Sequence, residues 1–229
     1  VFNLANSWQE IESKRGRRLS PQGSTQLKRV YADYREKKGL EIIMKINVVG
    51  TSGVGKSTLA QRLAAALSLP YIELDRLYWR PEWEGAPDEE FFASIAQATA
   101  SAGWVLDGNY NRSRAVKWRD IDLVVWVDYS FVRTLYQAIR RALSRAWHQQ
   151  ELWPGTGNRE TFRRTFCNRD SIILWTMKTW RSNRQRYLAD MHSAQYGHIR
   201  FVRLRNQRQT ERFIAEIVHQ QAMAGRVHI

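Results

Sequence analysis

An α/β fold, with a parallel β-sheet covered by helices on both faces, is predicted by three features of the 229-residue sequence. From residue 44 onward, short β-branched runs alternate with stretches of helical period. One run, IDLVVWVD, is too continuously apolar for a sheet with a wet face. The segment INVVGTSGVGKSTLAQRLA places three glycines and a lysine between a strand-like run and a helix-like one, where a tight turn alone needs a single glycine.

Taken in order, residues 1–43 read as an N-terminal extension: apolar residues are sparse, charges of both signs mix, and SPQGS breaks any helical period. Only STQLKRVYADYREKKG looks helical there, with Ser24 or Thr25 as cap and Gly39 as stop. Met44 is the first methionine and stands directly before the apolar KINVVG, so the native start is expected there, with residues 44–229 forming the domain. INVVG is the first strand. KSTLAQRLAAALS follows as a helix, with Leu59, Leu63 and Leu67 at helical spacing, until Pro70 forces extended backbone. PYIELD is the second strand, and DEEFFASIAQATASAG a helix with acids in its first turn and Gly103 at its end. WVLDG and IDLVVWVD supply the third and fourth strands. A helix from Phe131 to His148, the loop QQELWPGTGNRE and a second helical region from Glu160 to Met191 come next. HIRFVRLRN is the last strand and QTERFIAEIVHQQAMAG the closing helix.

Thirty-six Lys and Arg against 22 Asp and Glu give a net charge of +14, which favours anionic partners such as nucleotides, nucleic acid or acidic headgroups without choosing among them. No apolar run reaches the roughly 18 residues of a membrane helix, and the first residues lack signal-peptide character, so a cytoplasmic protein without a membrane partner is expected. The lone Cys167 suits a reducing compartment and reads as a small half-buried thiol. The five histidines show no metal-ligand spacing, and neither a zinc site nor a Ser-His-Asp arrangement is expected.

Gly50 to Ser57 fits G-x-x-x-x-G-K-[ST] in the context that gives it meaning, after a strand and at the start of a helix. Accidental matches to those four positions arise in roughly one chain of this length in a hundred. Backbone N–H groups of Gly50, Thr51, Ser52, Gly53, Val54, Gly55 and Thr58 are expected around a polyphosphate, where the positive end of the helix also points. Lys56 would bridge the β and γ phosphates, and Ser57 would place its hydroxyl on Mg²⁺. The expected cofactors are therefore ATP and Mg²⁺.

INVVGTSGVGKSTLAQRLA, YIELDRLYW, WVLDGNY, VVWVDYSFVRTLYQAIRRAL and FVRLRN, in that order, resemble the P-loop kinases related to adenylate kinase and shikimate kinase. The resemblance is closer to the bacterial DNA topology modulation proteins, which are adenylate-kinase-like. It spans about Met44 to Gln220. It implies a three-layer α/β/α domain with five parallel strands in the order 2-3-1-4-5, MgATP as phosphoryl donor, a small-molecule acceptor, and a mobile lid over about residues 148–190.

Asp75 closes YIELD at the carboxyl edge of the sheet, where open α/β folds bind ligands. The resemblance implies that it orients the acceptor hydroxyl or contributes to the metal shell, and acceptor positioning with base work is the role expected; helix capping of RLYW is the alternative. Asp107 matches the acid of the family's DG motif, which implies coordination of magnesium through water; an Asp-Gly turn is the alternative. Adenylate kinases follow that motif with Phe-Pro-Arg, whereas Asn109, Tyr110, Asn111 and Arg112 stand here. Arg112 or Arg114 remains as an acceptor-phosphate ligand, and the case for a nucleoside monophosphate acceptor weakens. Trp79, Arg80 and Trp83 lie where the family binds its acceptor and can stack a planar ring or simply pack. Arg140, Arg141 and Arg145 match lid arginines that close onto the transferring phosphoryl group, with Arg141 and Arg145 on one helix face; a solvated basic face is the alternative. Arg159, Arg163 and Arg164 are further lid candidates, and Asp128 reads as structural.

A second class of function is a nucleic-acid-associated NTP-binding protein, drawn from the arginines and aromatics interleaved in RRTFCNRDSIILWTMKTWRSNRQRY. The same spacing also describes a helix with Trp and Ile inward and Arg outward. A polynucleotide end kinase would combine both functions.

Overall fold

The computed structural model describes residues 44–148, 151–159 and 172–225, all within the unit Ile43–Ile229. The expected helix 24–39, Cys167, Arg163 and Arg164 lie outside these residues. Five parallel strands run β1 (Lys45–Gly50), β2 (Tyr71–Glu73), β3 (Trp104–Asp107), β4 (Leu123–Val127) and β5 (Arg200–Leu204), in the order β2-β3-β1-β4-β5. With a glycine loop at the end of the central strand, this is the P-loop kinase arrangement the resemblance implied. The helices are α1 (Lys56–Leu67), α2 (Leu74–Tyr78), α3 (Asp88–Ala98), α4 (Arg114–Lys117), α5 (Phe131–His148), α6 (Ile172–His192) and α7 (Gln207–Gly225).

All residues of β3 and β4 are buried, as continuous apolar runs require when helices cover both faces. One layer packs α1 against α7, burying Leu59, Leu63, Phe213 and Ile217. The other buries Phe91 and Ile95 of α3, Trp118 after α4, and Tyr187 of α6 against Leu106, Val124 and Trp126. Each such side chain removed from water stabilises the fold by roughly 1.5–3 kcal/mol. Asn47 is the polar member of β1, fully buried and fully used. Its amide donates to the carbonyls of Leu106 (2.9 Å) and Gly108 (3.2 Å), and its oxygen accepts from the Trp118 indole (2.9 Å). It thereby fixes the end of β3 beside β1, where the site forms. Among the described residues no helix is long and apolar enough to cross a membrane.

Three elements depart from expectation. The helix α3 stops at Ala98 instead of reaching Gly103: the Thr99 hydroxyl turns back to the Ile95 carbonyl (2.7 Å), and the Trp104 indole takes the Thr99 carbonyl (3.2 Å). The strand β2 ends at Glu73, so Asp75 lies in the first turn of α2 and does not close the strand. Along α6 the inward seam is Thr176, Asn183, Tyr187 and Asp190, while Trp175 is 59% exposed. Tryptophan therefore does not line the whole inner face, because that face meets polar loops as well as core.

Candidate functional site

The loop from Gly50 to Lys56 leaves β1 and enters α1. At Gly53 (φ 85°) an added Cβ would lie 2.6 Å from the Ala138 Cβ, so only glycine lets the loop apex rest on α5. Gly55 (φ 98°) caps α1 in the left-handed region, and an added Cβ would meet nothing within 4 Å. The close approach at Gly53 is to protein, whereas the open side of Gly55 leaves a cradle at the helix start for an anion. Asn109 braces the first glycine: its side-chain oxygen accepts from the Gly50 N–H (3.0 Å) and its amide donates to the Gly50 carbonyl (2.8 Å). The Asn109 oxygen also accepts from the Tyr187 hydroxyl (3.0 Å).

Asp107 is 4% exposed at the end of β3, beside the loop. Its Oδ2 accepts from the Tyr71 hydroxyl (3.2 Å), and its Oδ1 is buried with no hydrogen-bond partner. Burial pushes this carboxyl up from its ordinary value; Lys56 and the Ser57 hydroxyl act against that rise, and Asp75 adds to it. An unpartnered buried carboxylate oxygen next to a serine hydroxyl suits a hard, oxygen-seeking cation. Among the described residues no group of three His, Cys, Asp or Glu side chains is placed to hold a metal ion, so a cation here would draw its other ligands from hydroxyl, water and phosphate oxygens.

Asp75 accepts from the Tyr110 hydroxyl (2.7 Å). Burial, then the neighbouring Asp75, raises Tyr110, and burial, then Asp107, raises Tyr71, so both phenols remain donors. Glu73, absent from the expected site, joins the same carboxyl edge. It is raised by burial, then by Asp75 and Asp107, and is opposed by Trp153 and Arg145. Sequence reading missed it because the strand seemed to run two residues further; an E-L-D triplet at a strand end is the signal that was there.

Arginine placement separates by helix face. Arg141 donates to the Ser52 hydroxyl (3.1 Å), and Arg145, one turn on, acts on Glu73. Arg140 is exposed on another face and is not brought to the loop. Arg112 pairs with Asp88 (2.8 Å) and lies over the Tyr78 ring, and Arg114 pairs with Asp190 (2.5 Å) over Trp118, so neither guanidinium is directed at the loop. Arg80 pairs with Glu90. Asp128 pairs with Arg203 and Arg184, as a structural acid does. Arg186 is a further cation beside the loop. It bonds Asn183 and the Asn111 amide oxygen (2.7 Å), and Asn183 in turn reaches Thr51 (3.5 Å).

Residues 151–159 form a strap docked on the segment after β2. Asn158, 2% exposed, accepts from the Trp83 N–H (3.0 Å) and donates to the Arg80 carbonyl (2.8 Å). Trp153 lies nearly parallel to Trp79 (6.0 Å, 19°) and edge-on to Trp83 (5.7 Å), while its indole N–H points at Glu73 (3.4 Å). Trp79 and Trp83 therefore pack with the strap. The backbones of Glu151 and Arg159 form an isolated antiparallel bridge at the strap's base. On the other side of the loop, a cavity is lined by Gly55, Thr58, Arg62, Tyr129, Gln137 and Gln207, and the buried Gln137 oxygen has no partner. A heteroaromatic base with exocyclic N–H donors matches that lining.

No protein-family model and no curated protein sequence matches the chain. Among solved structures, it is similar to a gluconokinase from Sinorhizobium meliloti 1021, with 18% identity, coverage of 81% of this chain and 95% of that one, and a TM-score of 0.44. It is also similar to a sugar kinase from Janibacter sp. HTCC2649, with 14% identity, coverage of 81% and 96%, and a TM-score of 0.42. These likenesses bear on neither substrate nor activity.

Proposed function

We propose that this protein is an ATP-dependent kinase that transfers the γ-phosphoryl group of MgATP to a hydroxyl of a small molecule. One observation carries the reading: the unpartnered Asp107 oxygen lies beside Lys56 and Ser57, at the start of a helix capped by the open Gly55. Phosphoryl transfer needs alignment and charge neutralisation more than covalent chemistry. Loop amides and Lys56 would grip the phosphates, and the base would lie against Gln137 and Thr58. Ser57 and Asp107 would hold Mg²⁺, which when bound neutralises charge on the phosphate oxygens. Arg141 and Arg145, and Arg186 with them, would face the migrating group. Asp75 would orient the acceptor hydroxyl and take its proton, with Glu73 beside it. Trp79, Arg80 and Trp83 would border the acceptor under the strap. Roles for Arg112 and Arg140 require movement from their present positions.

Coupled assay of ADP release with MgATP and a panel of sugar acids, polyols and nucleoside monophosphates tests this reading. We expect acceptor-dependent turnover that falls about a hundredfold or more in Lys56→Ala. In Asp107→Asn the magnesium requirement should shift to higher concentration while the fold persists. Turnover in Lys56→Ala close to native would defeat the assignment.

A nucleic-acid role, including the topology modulation named by the resemblance or an end-kinase activity, is favoured by Trp147 (76% exposed) and Trp175 (59% exposed) on arginine-rich helices. It requires DNA or RNA affinity that falls steeply with salt.

A further inference from the structure

At the carboxyl edge of β4 and β5 a second cleft, of about 390 Å³, opens between α6 and the end of β5. The nucleotide cavity is walled by α1, α5 and α7, and among the described residues Tyr129 is the one that lines both. Arg184, Arg203 and Arg205 line the cleft around Asp128 and Ser130. Among the described residues, three arginines thus line the cleft with one carboxylate, and two of them reach it.

The geometry points to a phosphomonoester subsite in this cleft, separate from the loop that grips the triphosphate. Asp128 cannot consume the positive charge. Arg203 reaches it through Nε (2.8 Å) and one Nη, and Arg184 through Nε at 3.5 Å, all on the single oxygen Oδ2. Further N–H donors on both forks remain for another acceptor. The forks are also held in place before any ligand arrives. Arg203 lies 4.6 Å over the Trp126 ring and is only 14% exposed, and Arg184 lies 5.4 Å over Trp180. Aromatic faces that fix a guanidinium reduce the entropy lost when it binds. Arg205 is an exposed residue of the cleft lining, and its backbone N–H donates to the Gln209 side chain (2.6 Å). Two guanidinium forks set over aromatic rings, one exposed arginine and the Ser130 hydroxyl match a tetrahedral dianion with three acceptor oxygens. A flat carboxylate would use fewer of these donors.

Titration calorimetry with inorganic phosphate in low-chloride buffer tests the subsite on the full chain. Lys56→Ala removes the loop's cation, so phosphate binding that persists in this variant reports the cleft. We expect binding to persist there and to weaken about tenfold or more when Arg184→Gln and Arg205→Gln are added. Arg205→Gln alone, at an exposed position that leaves the packed forks intact, should weaken it measurably. Phosphate binding that disappears in Lys56→Ala, or that survives the triple substitution unchanged, overturns the subsite. Displacement arms separate the sources. Equal displacement by AMP and by 5′-phosphorylated pentathymidylate assigns it to small phosphomonoesters. Displacement by the oligonucleotide at far lower concentration than by AMP, and none by its 5′-hydroxyl counterpart, assigns it to a nucleic-acid end. Failure of both phosphorylated compounds to displace phosphate overturns the phosphomonoester reading.

Discussion

Lys117 shows how far one side chain's environment can depart from its charge. It is 1% exposed, and its amine donates to the carbonyls of Asn109 and Gly108. Burial, then the charges of Arg114 and Arg186, push the amine well below its ordinary range. The unfolded chain therefore keeps a proton that the folded chain releases, over the window from the depressed value up to the ordinary lysine value of about 10.4. Stability rises with pH through that window. Lys117→Met keeps the length and removes the amine, so urea midpoints from about pH 7 to about pH 10 should climb in the native chain and stay flatter in the variant. A native midpoint that does not climb relative to the variant means the amine stays charged. At this scale the spacing and strand-to-helix context singled out Lys56 and Ser57 without tertiary knowledge, whereas Asp107 needed the resemblance to be chosen. Lys117, Glu73, Tyr71 and Arg186 were not legible, because each acquires its role from neighbours far away in the chain.

The helix α6 is bound to the site by a row of hydrogen bonds. Thr176 donates to the Ser52 carbonyl (3.4 Å), Trp180 to the Tyr129 carbonyl (3.3 Å), Asn183 to Thr51 and Tyr187 to Asn109, while Asp190 receives Arg114. These positions recur at intervals of three and four and make a single seam. The helix that follows the strap is thus tied to the glycine loop through polar contacts, each worth a modest net stabilisation. Tyr187→Phe removes one rung, and with it part of the brace that holds Asn109 on Gly50. Unfolding should become easier by about 1 kcal/mol, and the KM for ATP should rise a few-fold with little change in kcat. A loss of stability without any KM change would limit the seam to a structural role. Interleaved aromatics and arginines marked the region as helical, but amphipathic period cannot tell a core-facing seam from one facing a loop. The strands were easier, since fully buried strands are written as unbroken apolar runs, and helix ends were harder because Thr99 and Trp104 stop α3 through side-chain bonds.

For the whole molecule, alternation of strands and helices sufficed for a parallel sheet, and strand order needed the resemblance in addition, because period says nothing of neighbours. Net charge favours anionic partners without placing them; three arginines of that excess line one cleft. Met44 is fully buried and β1 begins at Lys45, which supports our proposal that residues 44–229 are the folding unit. Deleting residues 1–43 should leave the thermal midpoint within a few degrees, as differential scanning calorimetry would read. A large fall would assign those residues a share in the fold. Trp79 and Trp153 carry one more consequence. Two indoles held nearly parallel across separate segments couple their electronic transitions, so the folded chain contains its own optical gauge. Any lifting of the strap uncouples the pair, and near-ultraviolet circular dichroism would register that opening without an attached label.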